Sequence, residues 1–241
     1  MPTTALPALD PQTLQVLAFD IFGTIVDWHG SIVREMQQRY PQVDGDAFAL
    51  AWRAGYAPAM ARVMSGAQPW TLIDDLHRQI LDAILPDFGL AHLGDAERAQ
   101  LNLVWHRLAA WPDVVAGLTR LKHKYILCTL SNGNLNLLTR LSKQAALPLD
   151  CILSAETFQA YKPDPRTYGG VARVFDVAPA QVLLVATHHD DLASARACGL
   201  RTAYIERPLE LGAKHPKDVQ PHPANDLHAR DLLVLADLLG C

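Results

Sequence analysis

The first residues able to do chemistry stand at the end of the first apolar run of the sequence. Asp20 closes this run, and Gly23 and Thr24 follow in a turn-forming segment. A carboxylate beside a turn that exposes backbone N–H groups can act as a covalent nucleophile. A single aspartate at a strand end is more often a cap than a catalyst, so this interpretation depends on the residues that join it.

Three further polar segments follow apolar runs in the same way. Residues 131–133 (SNG) carry two small hydrogen-bonding side chains suited to holding an anion, and residues 161–165 (YKPDP) present the cation Lys162 on a rigid loop. Residues 187–191 (THHDD) follow the apolar run LLVA. If the preceding runs are parallel strands, these polar segments meet at the carboxyl edge of one sheet, where α/β proteins bind ligands.

The elements that must position these residues are apolar runs without the polar alternation of a half-exposed strand. Between the later runs, apolar side chains recur at helical spacing, as at Val114, Leu118 and Leu121. Strands that alternate with amphipathic helices predict an α/β fold, a Rossmann-like, doubly wound parallel sheet with helices on both faces. The predicted strands are residues 15–20, 125–130, 151–154, 182–187 and 202–205.

Residues 28–110 differ from the rest of the chain, because their apolar side chains recur at helical spacing and no strand-like run interrupts them. We therefore expect a helical cap inserted after the first strand, over the carboxyl edge of the sheet. The predicted domains are the core, residues 1–27 and 111–241, and the cap, residues 28–110. Residues 206–226, rich in Pro, His and Lys, predict a surface loop, and residues 230–239 predict a closing helix.

Composition limits the classes of function. The 241 residues include 21 basic and 25 acidic side chains, a net charge of −4 that argues against a dedicated nucleic-acid-binding protein. No apolar run reaches the ~20 residues of a membrane helix, and residues 1–15 lack a basic start followed by an apolar block, so neither a membrane span nor a signal peptide is expected. The four cysteines form no CxxC motif, which is compatible with a cytoplasmic protein.

Together, the polar segments resemble the four ordered motifs of the haloacid dehalogenase superfamily. The matching segments, in chain order, are residues 19–24 (FDIFGT), 130–133 (LSNG), 161–164 (YKPD) and 191–195 (DLASA). The resemblance covers residues 15–207, and four motifs in order are far more specific than one. It implies a Rossmann-like core with an inserted helical cap and a catalytic aspartate at Asp20.

Two positions separate this sequence from the phosphatases of that superfamily. Phosphatases carry a second aspartate two residues after the nucleophile and an acidic Mg²⁺ ligand at the position of Thr187, whereas this chain has Phe22 and a threonine there. An aromatic residue at position 22 instead resembles the type II (S)-2-haloacid dehalogenases. Arg53 in the predicted cap, and Tyr168 six residues after Lys162, are also similar to residues of that branch.

This resemblance implies metal-independent hydrolysis of short 2-halo acids, an L-2-haloacid or a haloacetate, to a 2-hydroxy acid and halide. Asp20 would attack C2 with inversion to form an ester, Asp191 would activate the water that hydrolyses it, and Lys162 would keep Asp20 ionised. No cofactor and no metal are expected. The implied substrate-binding residues are Thr24, Ser131 and Asn132 for the carboxylate, Arg53 and Asn132 for the halide, and in addition Phe22, Tyr168 and His188.

The last motif departs from the dehalogenase pattern, which has Ser and Asn where this chain has Ala186 and His188. The hydrogen bond from that serine to the lysine is therefore lost. His188, as a neutral imidazole near physiological pH, could replace the asparagine amide or serve as a further base. Because His188 and His189 are adjacent, at most one of them is expected to face the site.

Two other functions are compatible with the sequence. One is a Mg²⁺-dependent phosphatase acting on a small phosphate ester, with Asp190 and Asp191 as metal ligands. The other is a catalytically silent binding protein, against which the charged set of Asp20, Lys162 and Asp191 argues. The expected partner is a small-molecule halo acid, with no nucleic acid and no membrane. The apolar helices of the predicted cap are compatible with a homodimer.

Overall fold

The structure, a computed structural model, describes residues 8–241 and is built on a five-stranded sheet. The strands of this sheet are β1 (Val16–Phe19), β4 (Ile126–Thr129), β5 (Val182–Ala186), β6 (Arg201–Ile205) and β7 (Leu227–Ala229), and a separate antiparallel ribbon pairs β2 (Val26–Asp27) with β3 (Ala109–Ala110). The sheet order is β4-β1-β5-β6-β7, and every neighbouring pair is parallel. This confirms the predicted α/β fold. Residues 1–7, the start of the predicted core and of the segment interpreted as lacking a signal peptide, lie outside the described residues.

Helices cover both faces of the sheet. In chain order, all α-helices of the described residues are α1 (Trp28–Arg39), α2 (Gly45–Ala54), α3 (Tyr56–Met64), α4 (Ile73–Ile84), α5 (Asp95–Asn102), α6 (Val114–Lys122), α7 (Leu135–Gln144), α8 (Ala155–Phe158), α9 (Pro165–Val174), α10 (His189–Ala197) and α11 (Leu232–Leu238). Because alternate residues of a strand point to opposite sides, Leu17 and Phe19 pack with α6 and α11, whereas Val16 and Ala18 pack with α9 and α10. Residues 8–241 contain no helix long and apolar enough to cross a membrane.

The register of the three central strands places their carboxyl ends level with one another. Phe19 of β1 is paired with Thr129 of β4 and with Val185 of β5. Asp20 and the polar segments that follow β4 and β5 therefore leave the sheet side by side. In a parallel sheet this edge is the position at which loops from separate strands can build one site.

Residues 28–107 form a helical region between β2 and β3, in which α1 to α5 pack around buried aromatic side chains. Trp28, Trp52 and Trp105 are completely buried, and Trp105 stacks on His77 with ring centroids 4.1 Å apart. The ribbon of β2 and β3 joins the two ends of this region. The apolar side chains that recur at helical spacing in the sequence are thus the ones that pack against one another in this region.

One predicted strand is wrong, because residues 151–154 form only isolated bridges, at Cys151 and Ser154, with the segment of β4. Between these bridges a side chain takes the place of a strand ladder. The Thr129 hydroxyl donates to the carbonyl of Leu153 at 2.6 Å and accepts from the N–H of Leu153 at 2.9 Å. β4 is therefore the edge strand of the described sheet.

Three short strands, β2, β3 and β7, and one buried loop were not expected from the sequence pattern. β3 lies within residues predicted to be free of strands, and β7 completes the sheet with three residues, too few to show a periodicity. Residues 206–226 are not only a surface loop, because Arg207 and Glu210 are 6% and 3% exposed. Arg207 donates to the carbonyl of Thr24 at 2.9 Å and pairs with Asp113, so this loop packs against the turn after β1.

Candidate active site

Asp20 is at the centre of the site, directly after β1, and is 7% exposed. Its Oδ1 accepts a hydrogen bond from Nζ of Lys162 at 3.1 Å. Its Oδ2 accepts a hydrogen bond from Oγ1 of Thr24 at 2.8 Å and lies 3.2 Å from Nδ1 of His188. Three side chains from different parts of the sequence therefore fix the orientation of this carboxylate.

Lys162 lies between two buried carboxylates. Its Nζ is 3.1 Å from Asp20 and 2.6 Å from Oδ2 of Asp191, and the other oxygen of Asp191 accepts from the Tyr168 hydroxyl at 2.7 Å. The backbone N–H of Lys162 donates to Oδ1 of Asn132 at 2.7 Å, which anchors its loop to the one after β4. The structure thus brings together residues from all four polar segments.

Burial and pairing decide the charges of these groups. Burial would raise the pKa of Asp20, but Lys162 and His188 outweigh it and hold the pKa well below its usual range. Burial also opposes the charge of Lys162, yet the two carboxylates raise the pKa of this ammonium. Burial and the charge of Asp20 raise the pKa of Asp191. One carboxylate is therefore held ionised, and the other is the stronger proton acceptor.

His188 has a carboxylate on each ring nitrogen. Nδ1 lies 3.2 Å from Asp20, and Nε2 lies 2.8 Å from Oε1 of Glu210, whose other oxygen pairs with Nζ of Lys217 at 2.7 Å. Burial lowers the pKa of the ring, but the hydrogen bonds to Asp20 and Glu210 raise the pKa to about 9. The expectation of a neutral imidazole is therefore wrong, since the flanking carboxylates keep His188 protonated at physiological pH. The adjacent His189 stacks on Tyr204 instead.

A cavity of about 310 Å³ opens beside Asp20. The helical region contributes Arg53, Tyr56, Ala57 and Met60 to its lining, and the remainder comes from the loops and helices at the carboxyl edge of the sheet. The residues proposed from the sequence that line this cavity are Asp20, Phe22, Arg53, Asn132, Lys162, Tyr168, His188 and Asp191.

Thr24 and Ser131 lie behind the cavity wall and are not brought to it. Thr24 is completely buried, and its hydroxyl, which donates to Asp20, accepts from the N–H of Thr187 at 3.0 Å. The Ser131 hydroxyl accepts from the N–H of Gly133 at 3.2 Å. Short side chains at buried strand ends reach the neighbouring backbone first, so these two residues orient Asp20 and the loop after β4.

Arg53 is the cation that the helical region presents to the cavity. Its guanidinium lies over the ring of Tyr56, 4.1 Å from the centroid, and the ring of Phe22 packs edge-on against Tyr56 at 6.5 Å. Nη1 of Arg53 is buried and has no hydrogen-bond partner within residues 8–241. A donor of this kind can bind an anion that enters the cavity.

Comparisons with known proteins agree with this geometry. Residues 14–199 match the family of haloacid dehalogenase-like hydrolases. The chain belongs to that family. Among curated relatives, (S)-2-haloacid dehalogenase 4A of Burkholderia cepacia is 30% identical over 203 residues, which are 81% of this chain and 84% of the relative. (S)-2-haloacid dehalogenase 1 of Pseudomonas sp. (strain CBS-3) is 30% identical over 207 residues, 83% of this chain and 86% of the relative.

Solved structures extend the similarity over almost the whole of this haloacid dehalogenase-like hydrolase. L-2-haloacid dehalogenase PA0810 is 43% identical with a TM-score of 0.90, and the match covers 94% of this chain and 99% of that protein. The defluorinating L-2-haloacid dehalogenase Rha0230 is 39% identical with a TM-score of 0.90, over 98% of this chain and 100% of that protein. Coverage this high includes residues 28–107, so the helical region is part of the shared architecture.

In this haloacid dehalogenase-like hydrolase, the oxygen atoms that a divalent ion would need are paired with side-chain ammonium groups. Lys162 pairs with both Asp20 and Asp191. At the position of the acidic phosphatase ligand, the carbonyl and hydroxyl of Thr187 both accept from the ammonium of Lys217. Asp190 accepts the N–H of Asp191 at 3.0 Å. Mg²⁺, which prefers oxygen ligands, would therefore have to displace ammonium groups from the oxygens of Asp20, Asp191 and Thr187.

Sequence reasoning missed Glu210 and Lys217. Both belong to residues 206–226, whose composition is that of a surface loop, and nothing in the local pattern marks the glutamate as buried. The one available signal is indirect. A histidine that replaces the asparagine of the dehalogenase pattern has two ring nitrogens to satisfy, and the structure satisfies the second nitrogen of His188 with Glu210.

Proposed function

We propose that this protein hydrolyses the carbon–halogen bond of short 2-halo acids through an aspartyl-ester intermediate, without a metal ion or cofactor. The observation that carries the proposal is the ammonium of Lys162, which contacts both Asp20 and Asp191 beside a small, partly aromatic cavity. This arrangement supplies an ionised nucleophile and a base. Phe22 stands where a phosphatase keeps its proton donor, and a halide, being a weak base, leaves without one.

In the first step, a carboxylate oxygen of Asp20 attacks C2 of the substrate in line with the carbon–halogen bond. The new C–O bond forms as the halide leaves with the bonding electron pair, which inverts the configuration at C2. Arg53 is suited to receive the halide, because it lines the cavity and its buried Nη1 has no partner in the described structure.

Asn132 is suited to hold the carboxylate of the substrate. Its Oδ1 already accepts the backbone N–H of Lys162, so its amide NH₂ group remains to donate to an anion in the cavity. Holding the substrate by its carboxylate turns C2 towards Asp20, and such orientation is a large part of the rate enhancement in displacement reactions. In this proposal Thr24 and Ser131 orient the site, and Tyr168 orients Asp191.

In the second step, water adds to Cγ of the Asp20 ester. Asp191 accepts the proton of this water, in agreement with the raised pKa of its carboxyl. The tetrahedral intermediate then breaks the bond between Cγ and the oxygen attached to the substrate, and the proton returns to that oxygen as the 2-hydroxy acid leaves. Asp20 is regenerated with one oxygen atom from water, and the proton left on its carboxyl passes to solvent because the pKa of this group is low.

Halide release from haloacetates and from both enantiomers of 2-chloropropionate, with and without a chelator, tests the proposal. We expect release of halide that the chelator does not affect and that Asp20→Asn abolishes. A single turnover in ¹⁸O-labelled water should leave the label in the peptide containing Asp20, and label in the product alone would rule out this nucleophile. Chelator-sensitive hydrolysis of phosphate esters would favour the phosphatase, and no turnover on either set of substrates would favour a silent binding protein.

We infer in addition that residues 28–110 act as a cap over the core of residues 1–27 and 111–241, since Arg53, Tyr56 and Met60 of the helical region line the cavity. The partner is the small-molecule substrate. A homodimer and a cytoplasmic location stay predictions, which light scattering and cell fractionation would test.

A further inference from the structure

Behind Asp20 lies a row of alternating charges that the two proposed steps do not use. Nζ of Lys217 is 2.7 Å from Glu210, Glu210 is 2.8 Å from Nε2 of His188, and Nδ1 of His188 is 3.2 Å from Oδ2 of Asp20. The side chain of Glu210 is 4% exposed, and Nε1 of Trp28 donates to the same oxygen as His188, at 3.4 Å. Three donors therefore hold Glu210 in one position.

The protonation state of His188 follows from its neighbours. A neutral imidazole carries one N–H group and one lone pair, whereas each ring nitrogen of His188 faces a carboxylate oxygen. Carboxylates only accept hydrogen bonds, so the imidazolium alone satisfies both contacts. The ring is consequently a second cation on Asp20, in addition to Lys162.

The two oxygens of Asp20 are not equivalent. Oδ2 accepts a hydrogen bond from the Thr24 hydroxyl and faces the ring of His188, whose Nδ1 lies 3.2 Å away. Oδ1 accepts one hydrogen bond, from Lys162, and keeps a lone pair. Oδ1 is therefore the better nucleophile, and Oδ2 becomes the carbonyl oxygen of the ester.

On the basis of the proposed function, we propose that His188 is a catalytic residue that stabilises the oxyanion formed on Oδ2 of Asp20 during ester hydrolysis, and that Glu210 and Lys217 are positioning residues that hold it in place. The hydroxyl of Thr24 already donates to this oxygen, and Nδ1 of His188 lies 3.2 Å from it. A charged donor placed in advance on a developing oxyanion stabilises the transition state more than a neutral donor does.

The hydrolytic step balances with these groups and solvent, which takes the second proton of the water from the regenerated carboxyl of Asp20. Water forms a bond to Cγ of Asp20 and gives its proton to Asp191, and the π electron pair of the carbonyl moves onto Oδ2, where His188 and Thr24 stabilise it. When that pair returns, the bond between Cγ and Oδ1 breaks, and the leaving oxygen takes the proton from Asp191. His188 keeps its proton throughout.

A single-turnover experiment on the wild-type protein separates the two steps. With 2-chloropropionate in a rapid-quench instrument, chloride release reports ester formation, and the mass of the intact protein reports decay of the adduct. Once Asp20 is an ester, Glu210 still raises the pKa of His188 but the charge of Asp20 is lost, so adduct decay should slow as the pH rises towards about 9 while first-turnover chloride release does not. The charged and titratable groups around the ring are Asp20, Lys162, Asp190, Asp191, His189, Glu210 and Lys217.

Glu210→Gln tests the positioning role, because it keeps the size of the side chain and removes its charge. We expect adduct decay to slow by about 10–100-fold, the effect of losing a hydrogen bond to a charged group. The pH above which adduct decay slows should fall by about 1–3 pH units. First-turnover chloride release should stay near the wild-type rate. The matched control is Glu206→Gln, which removes the charge of a glutamate in the same loop that pairs with His228 at 2.6 Å, and it should behave as wild type.

Equal slowing of both steps in Glu210→Gln would assign a merely structural role to the glutamate and overturn the proposal. So would adduct decay at the wild-type rate with an unchanged alkaline limb. If Glu210→Gln does not fold, the wild-type pH series decides, and adduct decay that is constant from pH 6.5 to above pH 9, or that falls together with chloride release, overturns the proposal. Wild-type protein that releases no chloride and forms no adduct would overturn the proposed function itself, a result distinct from these.

Discussion

At the scale of single residues, Lys162 gives two carboxylates different properties. Asp20 is contacted by Lys162, His188 and Thr24, and its pKa is lowered despite its burial. Asp191 shares the same ammonium but has the Tyr168 hydroxyl in place of a second cation, and burial with the charge of Asp20 raises its pKa. When neighbours move the pKa values of two similar groups in opposite directions, one group is suited to act as nucleophile and the other as base.

Lys162→Met should raise the pKa of Asp20 towards its ordinary value, because one of the two flanking cations is lost. A carboxylate with a higher pKa is protonated at higher pH, so the acid limb of first-turnover halide release, which needs Asp20 and not the base Asp191, should move upward by about 1–3 pH units. The pH profile of halide release measures this shift. Lys143→Met, at an exposed position of α7, is the control, and an acid limb at the same pH in all three proteins would contradict the prediction.

Replacing Arg53 should weaken the binding of halide. In Arg53→Lys the charge remains but the planar guanidinium over Tyr56 is lost, so inhibition by added bromide or iodide should weaken by about 10–100-fold, the range for a lost charged hydrogen bond. Inhibition constants for halide ions measure the effect. Arg62→Lys, an exposed arginine of α3, should leave them unchanged, and equal constants in wild type and Arg53→Lys would assign halide binding to another group.

At the scale of elements, the turn after β1 places Asp20 against the loop of residues 206–226. Gly23 has a φ of +90°, a conformation that side chains with a Cβ rarely adopt. Its carbonyl accepts from Nε1 of Trp111 at 2.9 Å, and a Cβ at this position would lie 2.2 Å from Oε1 of Glu210. Since several donors fix Glu210 in place, a residue larger than glycine does not fit at position 23.

Gly23→Ala should therefore cost more stability than backbone strain alone. Gly66→Ala is the matched control, because Gly66 also has a positive φ, +77°, with open space around the added Cβ. We expect about 1–2 kcal/mol of destabilisation for Gly66→Ala. Gly23→Ala should lose about 1–3 kcal/mol more, because it displaces a buried charged hydrogen-bonding group. Urea unfolding measures both values, and equal losses in the two variants would show that Glu210 yields without cost.

At the scale of the whole molecule, the site joins parts of the chain that are far apart in sequence. The sheet edge supplies the charged groups, the helical region supplies Arg53, Tyr56 and Met60, and the loop of residues 206–226 supplies Glu210. The row of alternating charges, Lys217, Glu210, His188 and Asp20, continues through Lys162 to Asp191. All of these side chains are buried or partly buried. Their charges contribute to the stability of the fold only while each of them is present.

The stability of the protein should consequently depend on pH on both the acid and the alkaline side. The pKa of His188 is raised from 6.5 to about 9, so its contribution is complete below pH 6.5 and is lost as the pH rises through 9. The pKa of Glu210 is lowered from 4.5 to about 2, since pairing with His188 and Lys217 outweighs burial, so its contribution is complete above pH 4.5 and is lost as the pH falls through 2.

We expect the highest contribution of these two groups between pH 4.5 and 6.5. The free energy of unfolding in urea, measured from pH 5 to 10 for wild type and for His188→Asn, isolates the alkaline part. Wild type should lose stability relative to the variant between pH 6.5 and about 9. A constant difference over that range would show that the ring is not protonated in the folded protein.

The sequence by itself determined the parallel α/β sheet and the residues around Asp20. Strand-end polar segments after buried apolar runs must meet at one sheet edge, because hydrogen bonding between parallel strands aligns their carboxyl ends. This reasoning predicts that Asp20, Asn132, Lys162 and Asp191 meet at one edge, whereas Tyr168 is implied only by the resemblance to the type II dehalogenases. Their functional roles stay proposals.

The tertiary structure alone decided the charge of His188 and the place of Glu210. Local pattern reports whether a segment is apolar or polar, and residues 206–226 are polar, so they predict solvent exposure. Whether a polar side chain is buried depends on which partners the rest of the chain brings to it. A pKa depends on burial and on neighbouring charges, and both of these are set by contacts between residues distant in sequence.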